Sequence, residues 1–89
     1  MFHIFFSSHG DRSFNKTPHD IQHRIIETLA SLMDDVLWYR RVKKLQGTEN
    51  QYRLRIGRWR VLFQMDNKEI EILDIFLKKG SEDYRRRTS

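Results

Sequence analysis

Cysteine is absent from the 89-residue sequence, and proline occurs once. Without cysteine there is no disulfide, no cysteine-ligated zinc or iron–sulfur site and no thiol nucleophile. No apolar run exceeds a few residues, so the sequence predicts neither a transmembrane span nor a signal peptide. The apolar fraction of 38% is too high for a disordered tail, and the length is that of one domain. We therefore expect residues 1–89 to form a single cytoplasmic domain with no membrane partner.

Basic residues are concentrated in the second half of the chain, where they outnumber acidic residues two to one. Residues 1–39 hold three basic and five acidic residues, a charge of −2, whereas residues 40–89 hold fourteen and seven, a charge of +7. This asymmetry indicates a polyanionic partner, with an ordinary solvated face as the alternative. The excess lies in two clusters: Arg40, Arg41, Lys43, Lys44, Arg53, Arg55, Arg58 and Arg60, and then Lys78, Lys79, Arg85, Arg86 and Arg87.

The first half predicts a strand over residues 2–6 and an amphipathic helix over 18–33. Thr17 is the expected N-cap of that helix and Pro18 its first residue, and the helix should end near Asp34. Residues 8–16 fit either a short helix or a loop, and residues 36–50 have no clear pattern apart from a turn at Gly47. One face of the predicted helix carries the apolar side chains Ile21, Ile25, Leu29, Leu32 and Met33.

Alternating apolar and polar residues mark the second half as β structure. The pattern predicts strands over 52–56, 59–65 and 69–75, joined by turns at 57–58 and 66–68. Two successive hairpins make a three-stranded antiparallel meander. The N-terminal strand can add to this sheet and the helix can cover one of its faces, which gives an α+β fold.

Three arginines of the predicted hairpin point to anion binding. Arg53 and Arg55 project from one face of their strand, and Arg60 follows just past a tight turn. Converging guanidiniums repel one another unless an anion lies between them, and their planar forks suit phosphate. A solvated sheet face remains the alternative.

The residues after the last strand can fold back over its end. Lys78, Lys79 and Tyr84 belong to this segment. A tyrosine among cations has its phenolate favoured, which lowers its pKa and makes it a plausible proton acceptor.

Other kinds of site have little support. His19 and His23 lie four residues apart on the helix, a spacing that can hold a metal, but no third ligand accompanies them. An exposed helix face explains them better. The four glycines are isolated, so there is no phosphate-binding loop. We expect neither a metal nor a cofactor.

The sequence resembles the RelE/ParE toxin superfamily. The likeness lies in Val42-Lys43-Lys44-Leu45-Gln46-Gly47 and in the stretch from Gln51 to Phe63, which reads QYRLRIGRWRVLF. It continues through residues 70–75 and 78–84. The resemblance implies a RelE-like fold, in which a strand and a helix or helical hairpin pack on a twisted antiparallel meander.

The ribonuclease branch of that superfamily cuts messenger RNA in the ribosomal decoding site. The resemblance implies a type II toxin in which the ribose 2′-hydroxyl attacks the adjacent phosphate. Arg53 and Arg55 match paired basic residues of that branch, and Arg60 matches its phosphate-gripping arginine. Lys78 stands where an arginine is usual near the leaving group, so Lys79 is an alternative, and Tyr84 matches the base. We further expect RNA or ribosome contacts from Lys43, Lys44, Arg58, Lys79, Arg85 and Arg86.

Two other functions stay open at this point. A ParE-like inhibitor of DNA gyrase shares the fold without needing a catalytic set, and a non-catalytic RNA-binding module needs only the basic face. The resemblance also implies a cognate antitoxin. We expect an amphipathic helix of that partner to dock on exposed apolar surface of the helix over 18–33 or beside Trp59.

Overall fold

A computed structural model describes residues 3–34, 38–40 and 42–78, without the side chains of Met33 and Tyr39. It has two α-helices, a short 3-10 helix and a five-stranded sheet. The elements are β1 (His3–Phe6), α1 (Ser8–Asn15), α2 (His19–Met33), the 3-10 helix (Trp38–Arg40), β2 (Val42–Lys44), β3 (Gln51–Ile56), β4 (Trp59–Asp66) and β5 (Glu69–Leu77). Neither α-helix in these ranges is long and apolar enough to cross a membrane.

The strands lie in the order β1-β5-β4-β3-β2. Strands β2 to β5 are antiparallel to their neighbours, and β1 is parallel to β5, with His3 beside Glu69. The α+β class and the meander are therefore confirmed, as is the addition of the N-terminal strand to the sheet.

The two predicted hairpins form because their turns suit residues that tolerate positive φ. Gly57 has φ 58° between β3 and β4, and Asn67 has φ 55° between β4 and β5. Glycine and asparagine adopt this conformation at the lowest cost, which makes them favourable hairpin residues. The strands run slightly longer than predicted, to Asp66 in β4 and Leu77 in β5.

Helix α2 covers one face of the sheet and forms the core with it. Its apolar residues Ile25, Leu29 and Leu32 are fully buried. They pack against buried side chains from three strands: Leu54, Ile56, Val61, Phe63, Ile70, Ile72 and Ile75. The opposite face carries the arginines of β3 and β4 together with apolar side chains, among them the buried Phe76, which pairs with Arg60.

The predicted start of α2 is wrong by one residue. Pro18 is the N-cap, with no side-chain capping bond, and the helix begins at His19. Thr17 does not cap α2 because its hydroxyl donates to the Ser13 carbonyl at 2.8 Å, at the end of α1. The helix ends as predicted, with Asp34 as its C-cap.

The ambiguous segment over 8–16 is helical, as α1. Its N-cap is Ser7, whose Oγ accepts from the Gly10 N–H at 2.9 Å. Gly10 lies directly on the Ile72 carbonyl of β5, and the Ser7 N–H donates to that same carbonyl at 3.0 Å. Glycine at position 10 therefore allows α1 to approach the backbone of β5 closely.

The unassigned segment contains a further strand. Val42–Lys44 pairs with β3 and forms an edge of the sheet, and Gly47 has the positive φ of a turn, 79°. The preceding 3-10 helix is attached by Trp38, whose ring meets Tyr52 edge-on at 5.1 Å. This contact holds the 3-10 helix, and with it Arg40, beside β3.

Candidate functional site

The arginines of β3 and β4 share the face of the sheet that α2 does not cover. Arg55 lies directly opposite Arg60, and Arg53 lies opposite Lys43 of β2. Paired residues of neighbouring strands project from the same face. The tight turn at Gly57 sets this register, so the predicted convergence of the three arginines is confirmed.

These side chains line an open cleft of about 300 Å³. Six of the seven lining residues in the described part of the chain are cations, and none of the seven is acidic. We call this site the cationic cleft; it is lined by Arg40, Val42, Lys43, Arg53, Arg55, Arg60 and Lys78.

Arg60 is the most buried cation of the cleft, with 9% of its surface exposed. Its Nη1 donates to the carbonyls of Gly57 and Trp59, each at 3.0 Å. No carboxylate in the described part of the chain forms an ion pair with it. Burial lowers the pKa of Arg60, and the charges of Arg55 and Arg53 lower it further. An arginine stays protonated despite such a shift, so the cleft holds a positive charge that an anion would stabilise.

Lys78 reaches the cleft because strand pairing continues past the end of β5. Its backbone N–H donates to the Arg58 carbonyl at 2.8 Å. The bond holds the lysine beside the β3–β4 turn, next to Arg60. Lys78, which follows the last strand of the meander, thus lines the cleft together with the three arginines.

Other predicted contact residues lie elsewhere. Lys44 is exposed, pairs with Tyr52 of β3 and is not among the lining residues. Arg58 is exposed in the β3–β4 turn and is not a lining residue either. The predicted positions Lys79, Tyr84, Arg85 and Arg86 lie outside the described residues.

Arg40 is a lining residue that the sequence did not single out. It ends the 3-10 helix, and the Trp38–Tyr52 contact places that helix beside β3. In the sequence, the feature that could have identified Arg40 as a site residue is its place in the basic cluster that begins just before β2. Only the path of the chain into the edge strand shows which cations of that run face the cleft.

Histidine and carboxylate side chains do not build a metal site in the described ranges, where no three of them converge. His19 and His23 are both exposed on α2. His9 contacts Asp74 at 3.1 Å, and the Ser13 hydroxyl donates to the same carboxylate oxygen at 2.9 Å. These bonds join α1 to β5.

The expected apolar docking surface is half-buried among the described side chains. Ile21 and Ile26 of α2 and Trp59 of β4 are half-buried against the core. In these ranges Phe5, 43% exposed on β1, is the exposed large apolar residue. The described side chains thus offer only half-buried apolar surface on α2 and beside Trp59, and the docking of a partner helix there stays a prediction.

Comparison with known proteins now adds to this geometry. The family model described as the ParE toxin of type II toxin–antitoxin systems, parDE, matches residues 6–84. The chain belongs to this ParE toxin family. The match spans the whole meander and the cationic cleft. None of the curated proteins matches the chain significantly in sequence.

Several solved structures of related toxins have the same fold as this family member. The isolated Escherichia coli RelE toxin is 15% identical, with a TM-score of 0.74 over 99% of this chain and 96% of that chain. RelE in the RelB–RelE complex of Methanococcus jannaschii is 21% identical, with a TM-score of 0.65 over 90% and 96%. A chain of the RelBE2 toxin–antitoxin complex from Mycobacterium tuberculosis is 22% identical, with a TM-score of 0.68 over 89% of this chain and 93% of that chain. The RelE-like fold is thereby confirmed.

Proposed function

We propose that this ParE-family toxin is a ribosome-dependent endoribonuclease that cuts messenger RNA and so inhibits translation. The observation that carries the proposal is the cationic cleft, in which five further cations accompany Arg60 and none of the described lining residues is acidic. A phosphodiester is the biological anion that such a set of guanidiniums and ammoniums suits best.

The proposed reaction is an internal transfer of the phosphoryl group. The ribose 2′-oxygen forms a bond to the adjacent phosphorus while the bond from phosphorus to the 5′-oxygen breaks. The products are a 2′,3′-cyclic phosphate and a free 5′-hydroxyl. The pentavalent transition state gains negative charge, which Arg53, Arg55 and Arg60 stabilise by their fixed positions.

Two proton transfers complete the reaction. No histidine or carboxylate lines the described cleft, so the base that takes the 2′-hydroxyl proton comes from outside it. We assign this role to the phenolate of Tyr84. Lys78 supplies a proton to the leaving 5′-oxygen, with Lys79 as the alternative, because lysine gives up a proton far more readily than arginine.

The ribosome supplies what this catalytic set lacks. Without a histidine, acid–base catalysis is weak, and much of the acceleration has to come from holding the message in line for attack. We propose that Lys43, Lys44, Arg58, Lys79, Arg85 and Arg86 contact ribosomal or messenger RNA. Such a role places the toxin in the cytoplasm.

A cognate antitoxin is the second proposed partner. Similar structures include RelB–RelE complexes, in which the toxin is bound to its antitoxin. An acidic segment of a partner would neutralise the cationic cleft and block access of RNA to it. Expression of the gene with its chromosomal neighbour tests this, and a toxin that is harmless alone and copurifies with no neighbour would count against it.

In vitro translation followed by primer extension tests the nuclease directly. Wild-type protein should produce cuts within codons of translated message and few cuts in naked RNA. Arg60→Lys keeps the charge but loses the guanidinium fork, and should cut at least tenfold more slowly, since a charged hydrogen bond contributes about 1.5–3 kcal/mol. Lys68→Ala, in the exposed β4–β5 turn away from the cleft, is the matched control. Efficient cutting of naked RNA would refute ribosome dependence.

The family match favours one other candidate, inhibition of DNA gyrase, because its description names ParE toxins. A supercoiling assay with purified gyrase separates the two. Loss of supercoiling without cuts in translated message would support the gyrase inhibitor. Absence of both activities, with RNA binding retained, would leave a non-catalytic RNA-binding module.

A further inference from the structure

We propose that the cationic cleft holds two consecutive phosphates of single-stranded RNA. Arg55, Arg60 and Lys78 bind the phosphate that reacts, and Arg40 and Lys43 form a second subsite for the flanking phosphate, with Arg53 between them. The inference rests on the proposed function, because that function makes RNA the ligand.

The cations are anchored on the sheet over a distance larger than one phosphate group. Lys43 lies on β2 and Arg60 on β4, two strand intervals apart, which is roughly 9.5 Å across the sheet. The Lys43–Arg53 pair also lies two residues along β3 from the Arg55–Arg60 pair, roughly 6.7 Å further. Charged hydrogen bonds to one phosphate need donors within about 2.9 Å of its oxygens. Two groups of donors at this separation suit two phosphates.

Volume and charge agree with this geometry. The cleft of about 300 Å³ lies at the lower end of sites that hold small organic ligands, so it has room for more than a phosphate group. One phosphodiester carries a single negative charge, whereas six cations line the cleft. A second phosphate brings a further negative charge to a cleft whose described lining holds no carboxylate.

The two ends of the cleft differ in exposure. Arg60 is buried and held by two carbonyls, whereas Arg40 at the end of the 3-10 helix and Lys43 on the edge strand are exposed, as is Arg55. A fixed donor suits the phosphate whose geometry changes during reaction. Mobile surface cations suit a flanking phosphate that only needs to be held, and the second subsite is therefore assigned to the open end.

The lining residues also predict that the cleft does not recognise the RNA bases. None of the described lining residues is aromatic, and Val42 is the one apolar residue among them. Binding of single strands with base stacking uses aromatic side chains, and base identity is read by contacts to base edges. The cleft should therefore hold the backbone with little preference among bases.

Binding of short 2′-O-methyl oligoribonucleotides to the full-length chain tests the second subsite. The methyl groups block 2′-hydroxyl attack, so binding is measured without cleavage. Dimers, trimers and tetramers of uridine present one, two and three internucleotide phosphates. Wild-type affinity at low salt should rise about tenfold from dimer to trimer, the effect of one added charged hydrogen-bond contact. The salt slope should steepen by about 0.7 with the second phosphate.

Variants assign that gain to residues. Arg40→Ala/Lys43→Ala should abolish the trimer's advantage and leave dimer binding within about twofold, whereas Lys68→Ala should change neither. Arg60→Ala should weaken dimer and trimer alike. Adenosine oligomers should bind within about threefold of uridine oligomers.

The outcomes separate this inference from the proposed nuclease. A wild-type trimer that binds no better than the dimer, or a double variant that keeps the whole gain, would overturn the second subsite even if translated message is cut. A clear two-phosphate gain lost in the double variant supports the subsite, even if no cutting occurs and the nuclease proposal fails. A tenfold base preference would overturn backbone-only binding.

Discussion

Replacing Gly10 by alanine should destabilise the protein, although alanine is the better helix former. In an exposed helix interior this change stabilises by about 1 kcal/mol. Here the new Cβ would lie 2.8 Å from the Ile72 carbonyl carbon and closer still to its oxygen, and real Cβ atoms essentially never approach nearer than 3.0 Å. The neighbour is backbone in the middle of the sheet and cannot rotate away, so α1 has to move.

The size of the effect follows from what that movement disrupts. Overpacking of a tight contact costs about 1–3 kcal/mol. Loss of the Ser7 N–H bond to the Ile72 carbonyl adds about 0.5–1.5 kcal/mol. After the gain in helix propensity, the free energy of unfolding should fall by about 0.5–3.5 kcal/mol. For a domain of this size the midpoint of thermal unfolding falls by about 4–8 °C per kcal/mol.

Urea unfolding followed by circular dichroism measures the difference. Arg12→Ala, at an exposed position of the same helix, is the control and should change the stability by less than about 0.5 kcal/mol. If Gly10→Ala proves as stable as the wild type, or more stable, the close approach of α1 to β5 is refuted.

Three further predictions concern the turn, the base and the α1–β5 contact. Gly57→Ala should cost about 1–2 kcal/mol, because φ is 58° there, and Gly57→Asn should cost less, because asparagine tolerates positive φ; equal losses in urea unfolding would contradict this. Tyr84→Phe should abolish cutting of translated message without lowering the unfolding midpoint, and a fully active variant would exclude the phenol as base. Ser13→Ala should lower the free energy of unfolding by about 0.5–1.5 kcal/mol, which is more than the loss in His9→Ala. The reason is that the His9 side chain is 65% exposed, so that its bond to Asp74 competes with water. A larger loss in His9→Ala than in Ser13→Ala in thermal unfolding would refute that reasoning.

The hairpins were predictable because a half-buried strand leaves a periodic trace. Leu54 and Ile56 face the core while Arg53 and Arg55 do not, so burial and sequence alternate together. Elements without a periodic pattern were either not predicted, as with β2, or predicted as helix or loop, as with α1. Strand β2 is three residues long with two lysines, too short to show a period. Helix α1 buries only Gly10, by backbone contact rather than through an apolar stripe.

The candidate site divides in the same way. Arg55 and Arg60 flank a two-residue turn, so local geometry sets their pairing and the sequence predicts it. Lys43 and Lys44 are adjacent in sequence, but only Lys43 lines the cleft. Which of the two faces the cleft depends on how β2 pairs with β3, about ten residues away. Arg40 depends on the Trp38–Tyr52 contact, which no local pattern reveals.

The parallel pairing of β1 with β5 has a consequence for synthesis of the toxin. His3 pairs with Glu69, which lies 66 residues later in the chain. At ordinary rates of translation, about 3–13 s pass between the synthesis of these two residues. The meander can fold from neighbouring segments, whereas closing the sheet with β1 requires contacts of long sequence separation, which form slowly. Strand β1 is therefore among the last strands to be paired. Until β5 has been synthesised, the backbone N–H and C=O groups of β1 in the nascent toxin can hydrogen-bond with another chain.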